Sequence, residues 1–476
     1  MSKQYETVIG LEVHVELATK TKIFCGCPTD FGGEPNTHTC PVCTGMPGAL
    51  PVLNKKVVEY AIAVGLATNC KITQECKFDR KNYFYPDNPQ NYQISQLYFP
   101  IARNGYIEID VDGESKMVGI HEIHMEEDAG KLIHDEWEDC TLVDFNRSGV
   151  PLIEIVSEPD MRSADEVIAY LDELRTVIQY LGASDCKLQE GSMRVDVNLS
   201  VRKVGEEKFG TRTEMKNLNS FKAIARAIEA EKERQINLLE DGESVRQETR
   251  RWDDEKAKSY SMRSKEDAQD YRYFPDPDLL PLHISDEWLQ EIAAKQPELR
   301  PQKMKRYKQE YDLPDYDIGI LTSSKQFTDM FEETVAICNK PKEVSNWLMG
   351  ETMRLLNENK AEESEIRFSP VNLAKLIKLV DEKAININTA KEVFNKIFAE
   401  DIDPEQYVKD HNLTMNSNED ELKQIVLEIL EANPKVVEEY RSGKEKVLGF
   451  LIGQGMKRLK GKADPSTLSD IFKGLL

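Results

Sequence analysis

An α+β fold is predicted for this chain: a mainly antiparallel sheet with helices over residues 1–292, an all-α helical region over 293–408 and a small all-α tail over 409–476. Three observations carry the prediction. Stretches alternating apolar and polar residues recur through the first part, two long helical patterns interrupt them, and beyond a polar, proline-punctuated stretch at 294–303 no strand pattern follows.

The elements justify themselves in order. IGLEVHVEL, residues 9–17, alternates without error, with Ile9, Leu11, Val13, Val15 and Leu17 on one face and Glu12, His14 and Glu16 on the other. YIEIDV (106–111), LIEIV (152–156), MRVDVNLSV (193–201) and GTRTEMK (210–216) repeat the period of two. Val167, Ile168, Leu171, Leu174, Ile178 and Leu181 keep helical spacing over 164–181, and a second helix is expected over 221–240, closed by Gly242. After KQPELRPQKM come DMFEETVAICN, VSNWLMGETMRLLNE, SPVNLAKLIKLVDEK and TAKEVFNKIFAE, all helical; the third opens with Ser369 as N-cap and Pro370 at the first helical position. A second break falls in VKDHNLTMNSNED, and three shorter helices are expected after it.

At 476 residues the chain exceeds what one core supports. Hydrophobic residues at 40% and charged residues at 31%, with no apolar run near the eighteen or so that cross a bilayer, predict a water-soluble chain without membrane contact. No secretory segment precedes the first strand, so a cytoplasmic location is expected, where nine cysteines serve as thiols, ligands or catalysts rather than disulfides. The net charge of −23 argues against a surface that coats nucleic acid non-specifically, though not against a local basic site.

Cys25, Cys27, Cys40 and Cys43 are spaced C-x-C-x12-C-x2-C around a glycine-, proline- and asparagine-bearing loop. Two close thiol pairs joined by a turn can converge on a tetrahedral site, which zinc prefers, with His38 as a possible substitute ligand. Four thiolates leave no position open for water, so the zinc would be structural. Cys70, Cys76, Cys140, Cys186 and Cys338 stand alone and read as packing residues.

One strand with Glu12 and His14 outward is ordinarily a solvated face. Here it has company. Glu126, Glu127 and Asp128 in HMEEDAGK, Glu154 and Glu158, Arg194 with Asp196 and Asn198, and Arg212 with Glu214 and Lys216 recur on polar faces. Carboxylates with at most one imidazole suit a hard cation such as magnesium, which bridges substrate phosphates, and Arg194, Arg212 and Lys216 could hold those phosphates. The sequence has no G-x-x-x-x-G-K-[ST] loop, no strand-linked G-x-G-x-x-G and no G-x-S-x-G elbow, so any nucleotide is held by another frame.

DRKNYFYPDNPQNYQISQ (79–96) mixes Arg80 and Lys81 with Tyr83, Phe84, Tyr85 and Tyr92, a set that suits a nucleotide, a single-stranded RNA end, or only the plugging of a core; DYRYFPDPDLLPL (270–282) is similar. Near the end, residues 441–462 carry seven Lys/Arg (441, 444, 446, 457, 458, 460 and 462) against Glu445 alone. Within so acidic a chain, that run reads as a phosphate-backbone contact or else as a solvated cap.

Ten motifs in order, from IGLEVHVEL and CPVCTGMPGALPVLN through DRKNYFYPDNPQNYQISQ, HMEEDAGK, NRSGVPLIEIVSEPD, GTRTEMKNLNSF, QETRRWD, YRYFPDPDLLPL and NWLMGE to GKEKVLGFLIGQGMKRLKGKADP, resemble the B subunits of the bacterial aspartyl/glutamyl-tRNA amidotransferases, from residue 5 to the end. The resemblance implies a cradle domain over 1–292 with a zinc-binding insert at 25–43, a helical domain and a tail domain that leans on tRNA, through Lys457, Arg458, Lys460 and Lys462. It implies a ligase that uses ATP and Mg2+ to phosphorylate the side-chain carboxylate of misacylated Glu-tRNA(Gln) or Asp-tRNA(Asn), ammonia then displacing phosphate. By position His14, Glu127 and Glu154 match the family's magnesium ligands, and Glu12, Asp196 and Glu214 the acids around a second cation. Family members often lack some of the cysteines, which puts zinc on the side of folding or of the tRNA end. The chain carries no Ser-Ser-Lys amidase signature, so the resemblance also implies an amidase A subunit that delivers ammonia and a small C subunit, in a heterotrimer. Two other readings remain at this point: a non-catalytic tRNA-binding scaffold, and a stand-alone ligase that uses free ammonia on a small molecule.

Overall fold

A computed structural model describes all residues except 1–3, 135–137, 265–269, 362, 416–418 and 460–462. The chain divides into two compact units, Met1–Arg300 and Pro301–Leu476. The first is α+β and the second helical, the fold class expected.

In the first unit the strands are β1 (Tyr5–Glu16), β2 (Lys71–Ile72), β3 (Glu75–Cys76), β4 (Asp79–Asn82), β5 (Tyr92–Ser95), β6 (Ala102–Val111), β7 (Glu114–Glu127), β8 (Lys131–His134), β9 (Thr141–Asp144), β10 (Pro151–Ser157), β11 (Met193–Lys203), β12 (Thr213–Lys216), β13 (Glu248–Asp253), β14 (Lys258–Ser264), β15 (Phe274–Pro275) and β16 (Leu282–His283). Nine of them form one sheet in the order β14-β13-β12-β11-β1-β10-β7-β6-β2. Its pairings are antiparallel except β12 with β13, which run parallel. β1 lies at the centre, with His14 opposite Glu154 of β10 and Arg194 of β11, and Glu154 in turn opposite His124 of β7.

Because side chains alternate, that register puts most apolar members of these strands on one face. Leu11, Val13, Val15, Ile123, Met125, Ile153, Ile155, Val195, Val197 and Met215 are buried there. Helices α2 (Ala164–Tyr180) and α3 (Phe221–Glu240) join the same core, as does α1 (Lys55–Ala67). Ser163 and Ser220 accept the N–H groups of Glu166 and Ala223, caps each worth about 1 kcal/mol. Gly242, at φ +77°, ends α3 as its sequence position suggests. β12 begins at Thr213; ahead of it a Cβ on Gly210 would lie 2.1 Å from the Val201 carbonyl oxygen, so the chain approaches β11 there too closely for any other residue. β7 is a strand that its polar-rich sequence conceals.

The second unit has a core from Tyr307 to Val408 and another from Leu422 to Phe472. Ser369 accepts the Asn372 N–H with Pro370 behind it, the start expected from sequence. Four helices, not three, close the chain among the described residues: Glu419–Ala432, Pro434–Arg441, Leu448–Arg458 and Pro465–Leu475. Pro434 has no N–H to donate and breaks the first from the second. No described helix is long and apolar enough to cross a membrane.

Candidate active site

The other face of the sheet collects charge. His14 Nε2 lies 3.4 Å from Glu154 Oε2 and 3.7 Å from Glu126 Oε1, and His124 Nε2 lies 2.9 Å from the same Glu154 oxygen. One ligand atom each from His14, Glu126 and Glu154 falls within 4.8 Å of the others, and so does one each from Glu12, Asp196 and Glu214. Thus β1 supplies one residue to each group, two positions apart on one face. Lys216 Nζ is 3.0 Å from Glu214 Oε1 and also contacts Asp196, while Asn198 donates to Glu12 at 3.0 Å.

The electrostatics follow from this crowding. Burial and then the neighbouring charges of Glu154, Glu214 and Asp196 raise the Glu12 carboxyl above its ordinary value. Burial alone would lower His14, but its hydrogen bond to Glu154 and the charges of Glu154 and Glu126 outweigh that and raise it. His124 is likewise depressed by burial and lifted further by Glu154, to about 10. Glu154, despite burial, is held well below the usual carboxylate range, chiefly by His124. The carboxylates of Glu12, Asp196 and Glu214 beside Lys216, and an imidazole between the buried Glu126 and the half-buried Glu154, are donor sets a divalent cation fits, provided the His14 proton leaves.

Glu127, matched to a magnesium ligand on resemblance, does not join this group. It follows Glu126 in β7, and its carboxylate accepts the Ile94 N–H at 3.0 Å. Burial raises it to about 8. Among the described residues the cluster at His14 takes Glu126 in its place.

His14, Glu126, Asp128, Arg194, Asp196 and Lys216 line a cleft of about 460 Å³, together with Lys81 and Tyr83. Arg194 grips Asp128 with both terminal nitrogens, at 2.9 and 3.3 Å. Lys81, facing Glu126 and Glu154, stays charged: burial opposes the charge, but the two carboxylates prevail. Its neighbour Arg80 points elsewhere, to Asp276 and Asp278 at 2.8 Å each, over the Tyr92 ring. The aromatic segment therefore splits: Arg80 and Tyr92 pin β4, β5 and β15 together, while Lys81 and Tyr83 reach the cleft. Arg212 is exposed in a second cleft, of about 540 Å³, with Gly10, Glu12, Lys208 and Phe209. Sequence reasoning passed over His124, which stands two residues before Glu126 in β7, a strand not evident from sequence.

The four predicted cysteines do converge. Cys43 Sγ lies 3.9 Å from Cys40 Sγ and 4.0 Å from Cys27 Sγ, and the four sulfurs all fall within 4.8 Å of one another. A tetrahedron with zinc–sulfur bonds of about 2.3 Å has edges of about 3.8 Å, so the spacing fits. Hydrogen bonding from Cys25, aided by the nearby Lys22 charge, lowers the Cys43 thiol to about 4, and burial raises Cys27 to about 11. His38 is not among the four; its carbonyl accepts the Lys22 ammonium at 2.7 Å.

In the tail, Lys457 and Arg458 end the helix Leu448–Arg458, both exposed, with Arg458 paired to Glu428. Lys460 and Lys462 lie outside the described residues.

Comparison with known proteins follows the same division. Residues 7–290 match the GatB/GatE catalytic domain family, and residues 329–476 match the GatB domain family. A protein of Agathobacter rectalis named as the B subunit of an aspartyl/glutamyl-tRNA(Asn/Gln) amidotransferase is 70% identical over 474 residues, covering 100% of both chains. Its namesakes are 66% identical in Lachnoclostridium phytofermentans, over 100% of this chain and 99% of that one, and 52% identical in Carboxydothermus hydrogenoformans, with the same coverage. At that identity over full length, the chain belongs to the GatB/GatE family, among the proteins named as B subunits of the aspartyl/glutamyl-tRNA(Asn/Gln) amidotransferases.

Proposed function

We propose that this chain is the synthetase half of a tRNA-dependent amidotransferase, amidating the side-chain carboxylate of aspartate or glutamate misacylated onto tRNA(Asn) or tRNA(Gln). The observation that carries the reading is the charged face of the central sheet, where two groups of metal-binding side chains meet a cation-lined cleft inside the domain shared with the family. A carboxylate is a poor electrophile and an acyl phosphate a good one. The substrate's carboxylate oxygen therefore takes the γ-phosphoryl group of ATP with ADP leaving, and ammonia then expels phosphate and gives up a proton as the amide forms.

His14, Glu126 and Glu154 fit a magnesium ion, with Glu127 the match by position, and Glu12, Asp196 and Glu214 fit a second cation. When bound, such ions neutralise and align phosphate oxygens. The chain's own cations do the rest. Arg194, held by Asp128, and Lys216, held by Asp196 and Glu214, stand at the cleft wall as pre-positioned phosphate contacts, and Arg212 offers another from the second cleft. Lys81, kept charged beside Glu126 and Glu154, presents positive charge to the same space.

The four sulfurs suit structural zinc. With no amidase signature of its own, the chain receives ammonia from an amidase A subunit and is joined to it with a small C subunit, in the cytoplasm. Lys457, Arg458, Lys460 and Lys462 meet the tRNA backbone. Reconstitution with the A and C subunits, Mg-ATP, glutamine and each misacylated tRNA tests the reading. His14→Ala should abolish ATP-dependent amidation while tRNA still binds; unchanged amidation would leave the chain a scaffold.

A further inference from the structure

Lys22 is fully buried, unusual for an ammonium. It donates to the His38 carbonyl at 2.7 Å, to the Phe145 carbonyl at 3.3 Å and to Cys43 Sγ at 3.6 Å. Of these partners only the sulfur can carry balancing charge. Four thiolates outweigh a divalent ion by two charges, and one buried ammonium halves that excess.

The other two bonds reach further. Phe145 opens the turn that runs to Val150, and this turn is stitched to the cysteine loop more than once: the His38 N–H donates to Asn146 Oδ1 at 2.8 Å, and Ser148 Oγ donates to the Cys43 carbonyl at 2.9 Å. Gly149, at φ +82°, completes the approach, since a Cβ there would sit 3.4 Å from Cys43 Cβ and 3.5 Å from Lys22 Cδ. On its far side the turn holds Asp128, whose N–H donates to the Val150 carbonyl at 2.9 Å and whose carbonyl accepts the Gly149 N–H at 2.9 Å. Asp128 is the residue that grips Arg194 in the cleft.

We propose that Lys22 is a positioning residue that couples the four-sulfur site to the cleft, fixing the charge of the sulfurs and the turn at 145–150 together, and through Asp128 the place of Arg194. The inference rests on the proposed function for its last link only. An intact sulfur site then holds a phosphate contact of the cleft in register, and loss of its metal slackens that contact without touching any residue at His14.

The test uses the full chain, alone and reconstituted with its A and C subunits, in wild type, Lys22→Met, Lys22→Arg and Ser148→Ala. Zinc release to a coloured chelator should be at least about tenfold faster in Lys22→Met and partly restored in Lys22→Arg. Amide hydrogen exchange should rise over 126–130 and 145–150 in Lys22→Met, while α2 and α3 stay protected. In the complex, the KM for ATP should rise about threefold or more in Lys22→Met and in Ser148→Ala, with kcat changing less. If Lys22→Met does not fold, Lys22→Arg and Ser148→Ala carry the comparison. Wild-type zinc release and wild-type exchange in the variants would overturn the inference, as would a wild type that holds no zinc. A wild-type complex that amidates no misacylated tRNA would instead overturn the proposed function, and zinc release and exchange would still decide the coupling.

Discussion

Glu126 and Glu127 are consecutive in β7, yet only Glu126 brings a carboxylate oxygen to His14 and Glu154; Glu127 accepts the Ile94 N–H at 3.0 Å. A strand sends successive side chains to opposite faces, so two adjacent glutamates cannot serve one ion on one face while the ladder stays regular.

A metal titration separates the two. Calorimetric titration with Mn2+ should show binding weakened about tenfold or more in Glu126→Ala and in His14→Ala, because each removes a ligand. Glu127→Gln, which keeps an acceptor for Ile94, should bind within about threefold of wild type. The reverse ranking would assign the ligand to Glu127.

The sulfur site makes its own prediction. Cys40→Ser/Cys43→Ser should lose zinc entirely by elemental analysis of the purified chain, whereas Cys140→Ser, exposed and outside the cluster, should retain it. Equal zinc content in the two variants would contradict the four-sulfur assignment.

Asp464 caps the last helix, and hydrogen bonds from Ser466 and Thr467 lower its carboxyl to about 2. A depressed carboxyl adds stability that is fully present above its unfolded value of 3.8 and is lost as pH falls towards 2. Asp464→Ala should therefore destabilise Pro465–Leu475 by about 1 kcal/mol at pH 7 and by progressively less below pH 4, as read by amide exchange and helicity. A difference that grows on acidification would contradict the cap.

For the tail, Lys457→Ala should weaken tRNA binding and reduce the log–log salt slope by up to roughly one if it meets a phosphate. Arg458 must give up Glu428 to do the same, so Arg458→Ala should cost less. An unchanged salt slope in Lys457→Ala would leave this helix end as a solvated cap.

Much of this was legible in period-two alternation, because a half-buried sheet writes its two faces directly into sequence: Glu12 and His14 outward, Leu11 and Val13 inward. The exact cysteine spacing foretold the sulfur cluster for a similar reason, since short pairs on tight turns have few other arrangements. Register was not legible. Which strand lies beside β1 is set by long-range pairing, so neither the choice of Glu126 over Glu127 nor the His124–Glu154 contact could be read from local pattern. Burial of a charge was equally hidden: nothing around Lys22 in the chain signals the carbonyls and sulfur it meets from 16 to 123 residues away. Arg80 and Lys81, adjacent and alike, parted because β4 alternates, one to Asp276 and one to the cleft.

The central claim is that the charged face of the sheet activates a tRNA-borne carboxylate. The most direct measurement is ATP hydrolysis by the reconstituted complex with misacylated tRNA, without an amide donor, in wild type and in His14→Ala, Glu126→Ala and Glu154→Ala. The account predicts hydrolysis that depends on the misacylated tRNA in wild type and falls by two orders of magnitude or so in each variant at unchanged tRNA affinity. Hydrolysis that persists in all three variants, or that ignores the aminoacyl group, would contradict it.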